Sequence, residues 1–327
     1  EKLRTLLAEP MMFDGNLLHV TPSIGIALIP DHGEDPLDLL KHADIALYSA
    51  KDAGRNNSKM FEPAMLDQVN ERLRMESDLL LALTRNEFEL HYQPQVDARS
   101  GRIIGAEALL RWEHPTLGRQ FPDQFIHILE ESRQIVSVGH WILEEACRVC
   151  ATLLKNRLVT AEQFSLSVNI SAEQFAQPDF TESVFKILEK SRIPARMLKL
   201  EITESIVIKD MESTIAKMHL LQQGGVNFAM DDFGTGYSSL TYLKRLPVDV
   251  LKIDQSFIHD ATHTSSDGDI IRAIIAMAQS LNLSLIAEGV EQQAQLDFLT
   301  QAGCHIYQGY LFSKPVAFAE FRQLLQQ

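Results

Sequence analysis

No run of about 18 or more apolar residues occurs in this sequence, so nothing in it reads as a membrane-spanning helix. No secretory leader is visible either. Cysteine is scarce, at three in 327 residues, which excludes a disulfide scaffold. Two of the three, Cys147 and Cys150, form a C-x-x-C inside a stretch that reads as helix. No second Cys/His pair lies nearby, so two reduced thiols near one helix face is the plainer reading than a metal or redox site. Positive charge is also short: 30 Lys and Arg stand against 44 Asp and Glu, a formal net charge of −14. Such a chain repels nucleic-acid polymers unless it carries a basic patch, and none is visible. If its ligand is anionic, the site must import positive charge, and divalent ions held by carboxylates are the usual means. An initiator Met is missing too, since the chain begins at Glu1. The expectation is a cytoplasmic portion of a longer protein, with an upstream sensor or membrane anchor left open.

Three regions can be separated. Residues 1–61 hold a strand-like run at 23–29, a turn, and a helix from Pro36 to Ala53 that Gly54 ends. One strand and one or two helices cannot bury a core of their own, so this region reads as the tail of a larger domain. Residues 62–86 place Leu66, Val69, Leu73, Met75, Leu79 and Leu83 at near-helical spacing among charges, which predicts a stiff connecting helix. Residues 87–327 alternate strands with helices. The strand runs are 88–96, 102–112, 164–170, 198–203, 227–230, 248–253, 283–287 and 305–308. Eight strands in a repeated β-then-α order favour a (β/α)8 TIM-like barrel over an open sheet. Only residues 97–101 separate the first two runs, so that pair is expected to be antiparallel and the barrel irregular.

In such barrels chemistry sits at the C-terminal ends of the strands. Alternation puts Glu107, Leu109 and Arg111 on one face of the second run. The third ends in Asn169, the fourth reaches Glu201 and then Glu204, and the fifth runs into Asp231 and Asp232. The sixth carries Lys252 and Asp254, the seventh ends in Glu288 and the eighth in Gln308. One such residue would be a stray loop cap. Nearly every strand ending this way is different, because like charges buried together are costly unless a cation neutralises them. An all-oxygen set selects Mg2+ or Mn2+ over Zn2+. The adjacent Asp231 and Asp232 suit a pair of ions, a common arrangement for phosphoester hydrolysis. Gly234 and Gly236 follow directly and give the next loop backbone freedom.

These residues carry a family resemblance. Glu107-Ala108-Leu109, within Gly-Ala-Glu-Ala-Leu-Leu-Arg-Trp, resembles the motif that names the EAL domain family. Tyr-Gln-Pro at 92–94, Asn-Ile-Ser at 169–171, Leu-Glu-Ile-Thr-Glu at 200–204 and Asp-Asp-Phe-Gly-Thr-Gly-Tyr-Ser-Ser at 231–239 resemble it in the same order. So do Leu-Lys-Ile-Asp at 251–254, Ala-Glu-Gly-Val-Glu at 287–291 and Gln-Gly-Tyr-Leu-Phe at 308–312. Residues 1–61 resemble the C-terminal part of a GGDEF, or diguanylate cyclase, domain through Ser-Ile-Gly-Ile-Ala at 23–27, Ala-Asp-Ile-Ala-Leu-Tyr at 43–48, Ala-Lys at 50–51 and Gly-Arg-Asn at 54–56. The GGDEF signature loop itself is absent.

The resemblance implies metal-dependent hydrolysis of cyclic di-GMP to linear 5′-pGpG. It implies that Glu107, Asn169, Glu201 and Asp231 hold one Mg2+ or Mn2+, and Asp231, Asp232 and Glu288 a second. Lys252 would orient the attacking water, with Gln308 beside it. Arg111 would reach a phosphate, Gln93 a guanine, and Asp254 the substrate or a bracing contact. Glu204 would anchor the loop of Gly234 and Gly236. It also implies a homodimer through the barrel, using residues 238–246. The alternative reading is a receptor that binds cyclic di-GMP without cleaving it.

Overall fold

The computed structural model describes residues 2–234, 243–259 and 265–327. They form two compact units, Glu1–Leu80 and Leu81–Gln327. No helix among the described residues is long and apolar enough to cross a membrane.

The first unit contains α1 (Lys2–Leu7), β1 (Met11–Phe13), β2 (Asn16–Leu18), β3 (Ile24–Ile26), α2 (Pro36–Asp52), β4 (Ser58–Met60) and most of α3 (Pro63–Ala82). Helix α2 starts where Pro36 follows Asp35, whose carboxylate accepts from the Leu37 N–H at 2.7 Å. That is an ordinary N-cap with proline in the first turn. The chain leaves the helix at Gly54, with φ +94°. Ile45 and Ala46 of α2 pack on Phe61 and Met65, with Leu66 and Val69 against them. The sequence reading expected one strand here. The structure adds the antiparallel pair β1–β2 and a strand β4 running parallel to β3. Each has three residues, too few to show a hydrophobic period.

The second unit begins with β5 (Phe88–Asp97), β6 (Arg102–His114), β7 (Gly118–Gln120), α4 (Pro122–Glu131) and α5 (Ile135–Lys155). Next come β8 (Ser165–Asn169), α6 (Ala172–Phe175), α7 (Phe180–Ser191), β9 (Leu198–Thr203), α8 (Glu204–Lys209) and α9 (Met211–Gln223). Then follow β10 (Asn227–Phe233), β11 (Val250–Ile253), α10 (Gln255–His259), α11 (Ser265–Ser280), β12 (Ser284–Ala287), α12 (Gln293–Ala302), β13 (Ile306–Tyr307), β14 (Val316–Ala317) and α13 (Phe318–Leu324). Strands β5, β6, β8, β9, β10, β11, β12 and β13 close a ring in that order. β5 is antiparallel to both its neighbours, β6 and β13, while the remaining ring contacts are parallel. The irregular barrel with an antiparallel first pair is therefore found as expected.

Register explains what the ring holds. Neighbouring residues in register share a face. Glu107 is level with Ser167, Asn169 with Glu201, Glu201 with Ala229, and Lys252 with Ile286. This set points inward. Leu166, Val168, Leu200, Ile202, Phe228, Met230 and Leu251 take the outward face and are buried, as strands covered by helices require. Inside the ring, Ala229, Val250, Ile286 and Ile306 form an apolar cluster. The carboxylates therefore stand above a dry floor.

Leu166 is fully buried on the outward face. Leu166→Ala removes that packing and leaves a cavity, at an expected cost of about 2–5 kcal/mol. The barrel's denaturant midpoint reads this directly. A loss below about 1 kcal/mol contradicts the packing described.

Candidate active site

Lys252 enters the ring from β11 and is 1 % exposed. Its ammonium touches Glu201 directly and lies 2.7 Å from Glu288 Oε1, 3.1 Å from Asp231 Oδ1 and 3.5 Å from Glu107 Oε2. At an effective dielectric of about 20, each contact is worth about 5 kcal/mol of attraction. The four carboxylates also repel one another, and burial adds a further penalty. One ammonium cannot balance four carboxylates in charge.

The proton affinities follow. Burial pushes Glu201 up to about 7, with Glu107 and Asp231 adding to it against the pull of Lys252. Glu288 is raised well above the carboxylate range, first by burial and then by Asp231, Glu107 and Glu201. Asp232 is raised by burial and by Asp231. Glu107 behaves differently: burial would raise it, but Lys252 and hydrogen bonds from Gln308 and Asn169 bring it below its ordinary value. For Lys252, burial opposes the charge, yet the surrounding carboxylates raise its affinity for the proton.

An amide network fixes Glu107. Asn169 Nδ2 donates to Glu107 Oε1 at 2.6 Å, and Gln308 Nε2 donates to Glu107 Oε2. Gln308 Nε2 also donates to Gln93 Oε1 at 3.0 Å, while Gln95 Nε2 donates to Gln308 Oε1 at 3.1 Å. Gln95 was missed in the sequence reading. Its signal was available, because it shares the inward parity of Gln93. Gly309, next to Gln308, has no room for a Cβ, which would meet the Val290 backbone oxygen at 2.1 Å. That close approach seats Gln308 in the ring.

The remaining predicted residues lie around this centre. Asp232 follows Asp231 at a break in the β10–β11 register and has φ +53°. It lines a cleft of about 620 Å3 together with Asn169, Glu201, Asp123, Glu130 and Glu173. Arg111 is buried, donates to the Leu110 carbonyl at 2.7 Å and stacks over Phe121 at 5.3 Å. Asp254 accepts from the Ser256 N–H at 2.9 Å and from its hydroxyl, which braces the turn into α10. The Gly234 N–H donates to Glu204 Oε1 at 3.4 Å. Gly236 and residues 238–242 of the expected dimer surface lie outside the described residues. Cys147 and Cys150 are buried free thiols; burial pushes Cys147 up to about 12 and Cys150 higher still. Neither offers a thiolate near neutral pH.

The donor chemistry suits hard divalent ions. It is all oxygen, its charge is in excess, and Glu201 Oε1 is buried without a hydrogen-bond partner. At present the ammonium sits where the carboxylates meet. Among the described residues, the trio of acidic and histidine ligand atoms lying within 4.8 Å of one another is elsewhere, at Glu89, His91 and Glu113. Cation uptake in the ring therefore requires the ammonium to yield some of its carboxylate contacts.

Fold and site together define an irregular TIM-type barrel with an acidic, cation-ready centre at its strand ends. The chain belongs to the EAL domain family, whose profile matches residues 76–315. Residues 1–57 match the profile described as diguanylate cyclase, GGDEF domain. The bifunctional diguanylate cyclase/cyclic di-GMP phosphodiesterase MucR of Pseudomonas aeruginosa is 43 % identical over 97 % of this chain and 46 % of its own length. The cyclic di-GMP phosphodiesterase NbdA of the same organism is 40 % identical over 100 % of this chain and 41 % of its own length. The chain thus spans less than half the length of these curated relatives. A solved structure described as PaMucR phosphodiesterase in a c-di-GMP complex superposes with a TM-score of 0.73 and 43 % identity, covering 76 % of this chain and 99 % of that one.

Raised carboxylates bind protons that a metal must expel. A group poised at about 7 gives up its proton as pH rises, so divalent-ion binding should tighten between about pH 6 and pH 8. Calorimetry in buffers of different ionisation enthalpy should record proton release on Mg2+ binding. Affinity that is flat with pH, with no protons released, contradicts this charge balance.

Proposed function

We propose that this chain is a cyclic di-GMP phosphodiesterase that hydrolyses its substrate to linear 5′-pGpG with Mg2+ or Mn2+, as a pair of ions. The observation that carries the reading is the excess of buried carboxylates around Lys252, which opens onto an acidic cleft. A doubly anionic dinucleotide enters such a cleft only if cations turn its sign. The names and titles of the relatives supply the substrate class.

Glu107, Asn169, Glu201 and Asp231 would hold one ion, and Asp231, Asp232 and Glu288 the other. When bound, the ions supply a hydroxide at neutral pH and stabilise charge on the phosphoryl oxygens. The protein's own groups do the rest. Asn169 and Gln308 fix the rotamer of Glu107 through its two oxygens. Lys252, already charged, would orient the attacking water and meet developing negative charge once the ions take over some of its carboxylate contacts. Gln93 meets a guanine and Arg111 a phosphate. Glu204 holds the loop at Gly234, with Asp254 bracing the neighbouring turn.

Purified protein incubated with cyclic di-GMP and Mg2+ or Mn2+, then separated by chromatography, tests this. Linear 5′-pGpG is the expected product. Glu107→Gln should lose more than the about 100-fold that losing an outer metal partner costs. Bound but intact cyclic di-GMP in the wild type would instead make the barrel a receptor, and near-normal hydrolysis by Glu107→Gln would sink the ligand assignment. The homodimer through residues 238–246 belongs to the same proposal. Light scattering should give the mass of two chains; a monomer with full turnover contradicts it.

A further inference from the structure

Away from the ring carboxylates, three side chains of the β5–β6 pair come together. Glu89 and His91 share a face of β5, and Glu113 comes from β6. One ligand atom from each lies within 4.8 Å of the others. His91 is 5 % exposed, and its Nε2 is buried with no hydrogen-bond partner. Its Nδ1 faces the Pro315 carbonyl oxygen at 3.3 Å. A carbonyl can only accept, so Nδ1 carries the proton and the lone pair is left on Nε2. Nε2 points to Glu89 Oε1, 4.0 Å away. Histidines that bind metals typically hold their second ring nitrogen against a carbonyl in this way.

We propose that Glu89, His91 and Glu113 form a second cation site, separate from the ring carboxylates, that takes a Zn2+-class divalent ion on one imidazole nitrogen and two carboxylates. The donor set decides the ion. An imidazole with carboxylates suits zinc and its neighbours, whereas the all-oxygen ring set suits harder ions. Burial, with Arg119 and Arg111 nearby, lowers the proton affinity of His91 and keeps the ring in its metal-binding form. Glu113 is paired with Arg119, but the two side chains are 40 % and 46 % exposed. Such a surface pair contributes little and yields readily to a divalent ion. The ion would also satisfy Nε2, which is otherwise buried without a hydrogen-bond partner, a costly state for a polar atom. It would clip β5 to β6 two residues along the strand from Gln93.

Zn2+ added to protein saturated with Mg2+ tests the site, read by X-ray absorption and by metal count. The ring set contains no histidine, so a nitrogen ligand abolished by His91→Ala reports this site whether or not the barrel hydrolyses cyclic di-GMP. The wild type should hold one more Zn2+ than His91→Ala. Glu89→Gln and Glu113→Gln alter partly exposed side chains and serve as second variants should His91→Ala fold poorly. Each should weaken that Zn2+ by more than the about 10-fold typical of an outer partner. Equal Zn2+ counts and an unchanged nitrogen signal in a folded His91→Ala protein overturn the proposal. So do unchanged affinities in both glutamine variants.

Discussion

The site depends on one buried ammonium shared by four carboxylates. Lys252 is held inside the ring by contacts with Glu107, Glu201, Asp231 and Glu288. Beneath it lies the apolar cluster of Ala229, Val250, Ile286 and Ile306, so screening by water from that side is weak. The arrangement is stable as a fold but unbalanced as a set of charges. Its imbalance appears as protons retained on Glu201 and Glu288. A site that retains protons at neutral pH is one that can exchange them for metal.

The barrel makes this imbalance possible. Parallel strands in register send Glu107, Glu201 and Lys252 to the same side, while the outward residues pack under helices. The antiparallel β5 contributes no carboxylate to the cluster. It supplies Gln93 and Gln95, which join Gln308 and through it Glu107. Lys252 first, and then the amides of Gln308 and Asn169, hold the proton affinity of Glu107 below its ordinary value while those of Glu201 and Glu288 are raised. The result is an ordered series of proton affinities among carboxylates of one chemical type.

Much of this was legible in the sequence. The eight ring strands could be read because strand and helix alternate regularly, and the inward set could be read because side chains alternate along a strand. Three things could not. The strands β1, β2 and β4 are too short to carry a period. The central place of Lys252 among the carboxylates needs the ring's curvature, which alternation along single strands does not express. The gathering of Glu89, His91 and Glu113 needs the cross-strand register of β5 and β6, and the separation in sequence hides it. Asp254 carries an inward-reading position, but it accepts hydrogen bonds from Ser256, a local capping contact that competes with any longer reach.

On the proposed function, the ammonium of Lys252 and a divalent ion compete for the same oxygens. Lys252→Met keeps an unbranched side chain, one atom shorter, and removes its charge. Mg2+ affinity of this variant, measured by calorimetry against the wild type, tests the claim most directly. The account predicts tighter Mg2+ binding by Lys252→Met, because one buried positive charge no longer opposes the ion. Unchanged or weaker binding in a folded variant contradicts it.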